Sequence, residues 1–238
     1  MSFDPYEFDR GYVQNKQDTL GQYTAKTFLW MMLGLLVTFG VGTFGWVTDL
    51  TWVAYRDIPG LHLILLIATL LISVTMVRRI EKMAVGTAIA LFLGLCALFG
   101  FTVSLYMYVF RISSIMLIFL ATAVYFGALA AYGHMTKTDL SGLRPILTAG
   151  LIFLIIFSVL SMFIPGLMML DRVVCLLGIA IFLAYTAYDT QRIRDYYHYY
   201  AGYPEMLSKA SIFAALQLYL DFLNLFLYLL RFLGVRKD

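Results

Sequence analysis

The sequence predicts an all-α membrane protein with seven transmembrane helices. Of the 238 residues, 62% are hydrophobic and only 13% are charged, compared with roughly 25% charged residues in an ordinary soluble domain. The mean hydropathy is +0.84. A soluble protein of this length would lack the polar side chains needed to cover its surface, so the natural solvent of this chain is a lipid bilayer.

Five segments are long enough to cross a bilayer without any charged residue. A hydrocarbon core of about 30 Å requires about 20 apolar residues of helix. Windows free of Asp, Glu, Lys and Arg cover residues 28–48, 58–77, 83–110, 112–133 and 145–170. The third is longer than a straight crossing needs and contains Gly86, Gly94 and Gly100, so we expect it to tilt or break.

Two further segments reach full length only if an aspartate is accepted. Residues 173–188 stop before Asp189, and residues 210–230 include Asp221. These segments complete the seven helices. We therefore predict one membrane domain at residues 28–232, preceded by a cytoplasmic segment at residues 1–27 and followed by a short basic tail at residues 233–238.

Lysines and arginines predict the orientation, because cytoplasmic loops are enriched in them. Seven crossings place eleven on the side of the N-terminus: Arg10, Lys16, Lys26, Arg78, Arg79, Lys82, Lys137, Arg144, Arg192, Arg194 and Lys209. Six lie on the other side: Arg56, Arg111, Arg172, Arg231, Arg236 and Lys237. The N-terminus is therefore predicted to be cytoplasmic. A re-entrant last segment would make the count fourteen against three, but residues 210–230 are long enough to span.

Asp221 is the most informative single residue. A helix that enters the membrane near residue 210 places Asp221 about 16 Å deep, close to the midplane. An aspartate there costs roughly 2.5 to 3.5 kcal/mol on insertion scales. Its side chain must therefore face the bundle interior, a water-filled cavity or a partner. It either fastens helices through a hydrogen bond or forms an ion or proton site.

Asp189 becomes informative when it is considered together with Asp221. It is expected at a helix end, with Arg192 three residues further on. Both helices end on the predicted cytoplasmic side, so the two carboxyl groups approach if the helices are neighbours. Two such groups in a medium of low dielectric constant cannot both ionise cheaply. A shared proton would hold the helices together, and its loss would drive them apart, which describes a gate controlled by pH.

Other residue patterns limit the function classes. The net charge of +3 is scattered and does not indicate nucleic-acid binding. His62, His134 and His198 have no second ligand at helical spacing, so no metal cofactor is predicted. Nucleotide-binding and hydrolase motifs are absent from the sequence, and the usual glycine beside the second aspartate of an intramembrane aspartyl protease is missing. We therefore expect no enzyme.

The C-terminal third closely resembles a known family. The segment "AYDTQRIR", followed by "LYLDFLNLFLYLLRFLG", is similar to the last two helices of the transmembrane Bax inhibitor motif family, the Bax inhibitor-1-like proteins. The helix count, the short hydrophilic N-terminus and "VRRIEKMAVG" fit as well. The resemblance implies a seven-helix bundle with a central C-terminal helix. It also implies a calcium leak that responds to pH through a di-aspartyl pair.

Carried over by position, the resemblance assigns roles to particular residues. Asp189 and Asp221 would be the gating pair and weak, transient calcium ligands. Arg78 or Arg79 would interact with the pair, although either could instead mark the membrane boundary. Arg192 and Asn224 are secondary candidates. Bacterial relatives can carry an acidic residue in the second helix, whereas residues 58–77 contain none, so an ion-coordinating role for that helix is not expected.

Two functions follow as hypotheses. The first is a pH-sensitive passive calcium leak channel whose partners are the lipid bilayer and the calcium ion. The alternative is a non-conducting interaction protein that binds another membrane protein and regulates a membrane protease or a cell-death or stress pathway. We expect it in a bacterial inner membrane, with the endoplasmic reticulum membrane as the alternative.

Overall fold

The computed structural model describes residues 18–79 and 82–237, and these residues form eight α-helices without a β-strand. In chain order the helices are α1 (Leu20–Val47), α2 (Leu50–Asp57), α3 (Leu61–Arg79), α4 (Val85–Val109), α5 (Ile112–Met135), α6 (Arg144–Phe163), α7 (Asp171–Tyr199) and α8 (Pro204–Leu233). Short 3₁₀ turns cover Ser141–Leu143 and Pro165–Leu170. All helices except α2 are long and apolar enough to cross a membrane, which confirms the predicted fold class and the seven spans.

Several boundaries differ from the charge-free windows. Helix α1 begins at Leu20 because Thr19 caps it: the Thr19 hydroxyl accepts from the Gln22 N–H, and the Gln22 side chain accepts from the Thr19 N–H. The described part of predicted segment 1–27 is therefore mostly helical. Residues 1–17, which include Arg10 and Lys16 of the charge count, lie outside the described residues.

Three other segments differ from what the sequence predicted. The window 145–170 is not one helix, because α6 ends at Phe163 and Pro165, which lacks a backbone N–H, starts the 3₁₀ turn. Helix α4 runs from Val85 to Val109 without a break despite its glycines. The short helix α2, between the first two spans, was not predicted. It is too short and too polar for the criterion that identified the others.

Helix α8 forms the centre of the bundle. It is the most buried of the seven spans and packs against α1, α4, α5 and α7. Side chains from almost every turn of α8 belong to the core. Helix α3 is the opposite case, because it lies at the periphery and packs mainly against α4. These contacts confirm the expectation of a central C-terminal helix.

The two ends of the bundle carry different elements. One end, which we call the basic end, contains the start of α1, the α3–α4 and α5–α6 connections, and the link from α7 to α8. At the opposite end, which we call the tail end, the chain after α8 pairs with the α4–α5 connection: the Arg111 N–H donates to the Val235 carbonyl, and the Lys237 N–H donates to the Val109 carbonyl, each at 2.9 Å. Helix α8 is thus one unbroken helix between opposite ends, which fits a span rather than a re-entrant segment.

Candidate functional site

Asp189 lies in the interior of α7. The prediction that it lies at a helix end is wrong, because α7 continues past it to Tyr199. The side chain is only 6% exposed. The charge-free window at residues 173–188 ended before Asp189, whereas the helix continues because this carboxyl group faces the core and not the helix end. Its neighbours Tyr188 and Thr190 are buried as well.

Asp221 meets Asp189 across the interface between α7 and α8. Asp221 lies near the middle of α8 and is 4% exposed. Each carboxyl group acts electrostatically on the other, so the two lie close together. A hydrogen bond between two carboxyl groups requires a proton on one of them, because an ionised carboxylate only accepts. Two adjacent buried carboxyl groups are thus arranged so that one proton can be shared between α7 and α8.

The surroundings give the pair little further support. Among the described residues, none donates a hydrogen bond to Oδ1 of Asp189 or to Oδ2 of Asp221. Phe222, next to Asp221, packs edge-to-face against Phe119 and Phe126 of α5, with ring centroids 5.3 and 5.4 Å apart. A second negative charge would thus develop against apolar walls, where unpaired charge is most costly.

Arg192 is the cation next to the pair. It lies one turn after Asp189 on α7, and its charge acts on that carboxyl group. Its guanidinium group lies over the rings of Tyr188 and Tyr196, 5.6 and 4.8 Å from their centroids. These cation–π contacts hold the guanidinium on the basic-end side of the pair.

The other candidate residues lie further away. Arg78 and Arg79 are in the last turn of α3 and exposed, and no ion pair joins either of them to Asp189 or Asp221 among the described contacts. Arg78 does line a cavity of about 360 Å³ together with Arg192, whereas Arg79 lines only a neighbouring one.

Asn224 is not joined to the pair. Its side-chain Nδ2 donates to the Leu220 carbonyl, one turn back on α8, at 2.7 Å. This contact is local to α8, so Asn224 does not link the two helices.

Three close contacts between the helices of the bundle were not predicted. The Tyr219 hydroxyl is 2.6 Å from Thr38 Oγ1, which also donates to the Cys96 carbonyl, and so α8 is bound to α1 and α4. A Cβ placed at Gly133 of α5 would lie 2.2 Å from the Ala187 carbonyl oxygen, so only glycine permits the packing of α5 on α7. Small residues at such crossings are typical of membrane helices, so Gly133 was the feature of the sequence that could have indicated this contact.

The third contact is an ion pair at the tail end. Arg231 of α8 donates to Asp171 at the start of α7, and both side chains are about one third exposed, at 36% and 35%. The Arg231 guanidinium also lies over the Tyr228 ring. Nearer the basic end, the Tyr196 hydroxyl of α7 donates to Gln217 Oε1 of α8 at 3.1 Å, and the short link Tyr200–Tyr203 connects the two helices.

The site offers two carboxyl groups for a metal ion. Within residues 18–79 and 82–237, no cluster of three or more His, Cys, Asp or Glu side chains could hold a metal. Calcium takes six to eight oxygen ligands in a stable protein site. Two carboxylates fit a brief contact with a passing hydrated ion better than tight binding.

Comparison with known proteins gives matches over nearly the whole chain. The model of the family described as "Inhibitor of apoptosis-promoting Bax1" matches residues 20–238. The chain is 36% identical over 225 residues to Uncharacterized protein RP147 of Rickettsia prowazekii, with 92% of each chain covered. It is 34% identical over 228 residues to Inner membrane protein YbhL of Escherichia coli, covering 92% of this chain and 93% of YbhL.

Proposed function

This chain belongs to the family described as Inhibitor of apoptosis-promoting Bax1, as its resemblance to Bax inhibitor-1-like proteins predicted, and we propose that it is a pH-sensitive passive calcium leak channel. One observation carries the proposal. Two carboxyl groups on neighbouring spans are more than nine-tenths buried and lie close enough to act on each other. Intramembrane carboxyl groups of this kind are by default functional, because their insertion is costly.

The proton on the pair sets the direction of the pH response. While one proton is present, the hydrogen bond joins α7 to α8 and the bundle is closed. Loss of the proton leaves two negative charges in contact, and two unit charges 4 Å apart repel by about 4 kcal/mol at an effective dielectric constant of about 20. The closed state is therefore favoured at low pH, and flux rises as the pH increases.

The position of α8 explains how separation of the pair could open a path. Because α8 packs against α1, α4, α5 and α7, its displacement loosens the middle of the bundle rather than its edge. The short link Tyr200–Tyr203 holds α8 to α7 at the basic end. We therefore propose that α8 swings about this link, with its largest displacement at the tail end, where Arg231 meets Asp171.

Calcium fits the chemistry of the opened pair. Calcium is a hard cation that prefers oxygen ligands, and two ionised carboxylates attract it into the bundle. Since two carboxylates leave most of its coordination to water, the ion is released again. The positive charge of Arg192 would stabilise the ionised pair before the calcium ion arrives. Arg78, which lines the same cavity as Arg192, would add a second positive charge.

The same proposal includes location and orientation. The relative YbhL is by name an inner membrane protein, and we propose the same location here, with the N-terminus in the cytoplasm. The cytoplasmic side would then be the basic end, in agreement with the enrichment of lysine and arginine in cytoplasmic loops.

Calcium entry into proteoliposomes tests the proposal. The purified protein is reconstituted with an indicator inside the vesicles, and entry is followed from pH 6 to pH 8. Wild type should conduct more as the pH rises. Asp221→Asn should stay at the low level, because an amide donates to the Asp189 carboxylate without a titratable proton. Tyr219→Phe is the matched control, since it removes a hydrogen bond of α8 only two residues away.

The outcomes separate the two functional hypotheses. A pH response that is present in wild type and Tyr219→Phe but absent in Asp221→Asn supports the channel and its gate. An unchanged response in Asp221→Asn rejects the pair as the gate. No flux above empty liposomes at any pH rejects the channel and favours a non-conducting interaction protein.

A further inference from the structure

A second polar site lies at the basic end and shares Arg192 with the surroundings of the aspartate pair. The cavity of about 360 Å³ lies between the end of α3 and the facing ends of α7 and α8. The described residues that line it include four cations and no carboxylate: Arg78, Lys82, Arg192 and Lys209. Four positive side chains around one cavity repel one another, so an anion inside it would stabilise the arrangement.

Two of these cations are held in place by the protein. Lys209 is only 5% exposed, and its Nζ donates to the Met83 carbonyl at 3.2 Å. Its ion pair with Glu205 uses a carboxylate whose side chain is 71% exposed and which is not among the lining residues. Arg192 is fixed over Tyr196. The positive charge of the cavity is thus positioned before any ligand arrives.

A second cavity adjoins the first, because Arg78 and Lys82 line both. It has a volume of about 640 Å³ and extends along α3 and α4 past Thr75 and Thr87 to Leu91. Helix α3 is the least buried span, so this space lies at the lipid-facing side of the bundle. Arg79 also lines the second cavity, but most of its lining surface is apolar, whereas the lining surface of the first is about half polar.

We propose that this composite site binds the phosphate group of an anionic phospholipid, with an acyl chain between α3 and α4. Lysine and arginine bind phosphate oxygens through charge-assisted hydrogen bonds. Basic cavities between membrane helices on the cytoplasmic side are a recognised mode of headgroup binding. A soluble phosphate compound shares the headgroup chemistry but would leave the second cavity unused. The site does not depend on calcium conduction.

Native mass spectrometry of the detergent-solubilised protein tests the proposal. The protein is titrated with phosphatidylglycerol, phosphatidylcholine or inorganic phosphate. The test variant is Arg78→Gln/Lys82→Gln, which removes two exposed cations from the cavity. The matched control is Lys137→Gln/Arg144→Gln, which removes two exposed cations from the same end but outside the lining.

The expected result is a preference of wild type for phosphatidylglycerol that weakens about 30-fold in the cavity variant and is unchanged in the control. An equal loss in both variants would overturn the proposal, because it would indicate attraction by the general charge of this end. Binding of inorganic phosphate without a preference for phosphatidylglycerol would overturn the lipid assignment and identify a soluble phosphate compound as the ligand.

Discussion

Helix α7 uses two aspartates to contact α8, and the two contacts differ in kind. Asp189 meets another carboxyl group in the interior, where both side chains are almost fully buried. Asp171 meets Arg231 at the tail end, where both are about one third exposed. In the proposed gate the first contact depends on a shared proton, whereas the second joins opposite charges.

In the proposed gate this difference separates the part of the interface that responds to pH from the part that resists opening. The ion pair at the tail end joins opposite charges of α7 and α8 and opposes their separation. The interior pair is the part whose interaction depends on a proton. The account therefore predicts that the interior pair determines whether flux responds to pH, and that the ion pair determines how easily α8 moves once the interior pair is ionised.

The largest effect is expected from Asp221→Ala. This change removes the partner of Asp189 and leaves a buried carboxyl group unsatisfied, which costs about 1–3 kcal/mol of stability. The melting temperature in detergent should fall. Calcium flux at pH 6 should rise toward the level that wild type reaches at pH 8, the opposite of the effect expected from Asp221→Asn.

Asp139→Ala is the control for loss of a carboxylate. The backbone N–H and the hydroxyl of Ser141 donate to Asp139 and hold its pKa below its ordinary value. A lowered pKa means that Asp139 contributes stability above its unfolded pKa and loses that contribution only in acid, well below pH 6. Its removal should leave the flux between pH 6 and pH 8 unchanged. A rise equal to that in Asp221→Ala would contradict the account.

A smaller effect is expected from Arg231→Gln. An ion pair with this exposure contributes about 0.2–1 kcal/mol, so the melting temperature should change little. Because the pair opposes the swing of α8, flux should increase at every pH while its pH response remains. Arg56→Gln is the control, since Arg56 pairs with its neighbour Asp57 and joins no two helices. Loss of the pH response in Arg231→Gln would show that the tail-end contact is the sensor.

The smallest effect is expected from Arg192→Gln. This change removes the cation beside Asp189, so the ionised pair is less favourable and the rise in flux should move to higher pH by a few tenths of a unit. Arg194→Gln is the control, because Arg194 donates instead to the Thr136 carbonyl on the α5–α6 connection. A shift to lower pH, or an equal shift in both variants, would contradict the placement of Arg192.

Composition and apolar segment length predicted most of the fold. Because the lipid-facing and the core side chains are both apolar, each span is visible as an apolar segment of the sequence. The residues at which each helix begins and ends are not visible in this way. Local hydrogen bonding and backbone geometry set those limits, at the Thr19 cap, at Pro165 and at the short polar helix α2. The position of Asp189 inside α7 could not be read from its own helix, because it depends on the partner that α8 provides.

The site was predictable in part for the same reason. Aspartates in apolar helices are visible in a sequence, whereas contacts between distant residues are not. Arg231 was only counted among the charges outside the spans, Asp171 was given no role, and nothing local indicated that they would pair. The resemblance indicated Arg78 or Arg79 as the interacting arginine, while the structure places Arg192 beside the pair and Arg78 on the shared cavity wall.

The most direct test is the distance between α7 and α8 as a function of pH. Spin labels are placed at the exposed tail-end positions Val173 and Leu233, after Cys96 and Cys175 are replaced by alanine and flux is shown to persist. Electron paramagnetic resonance of the reconstituted protein then gives the distance distribution from pH 6 to pH 8. The account predicts that the distances lengthen with rising pH in the labelled protein that keeps Asp221, and that they do not change in the labelled Asp221→Asn variant. A distribution that is independent of pH in both, or that shifts equally in both, would contradict the claim that a shared proton holds the two helices together.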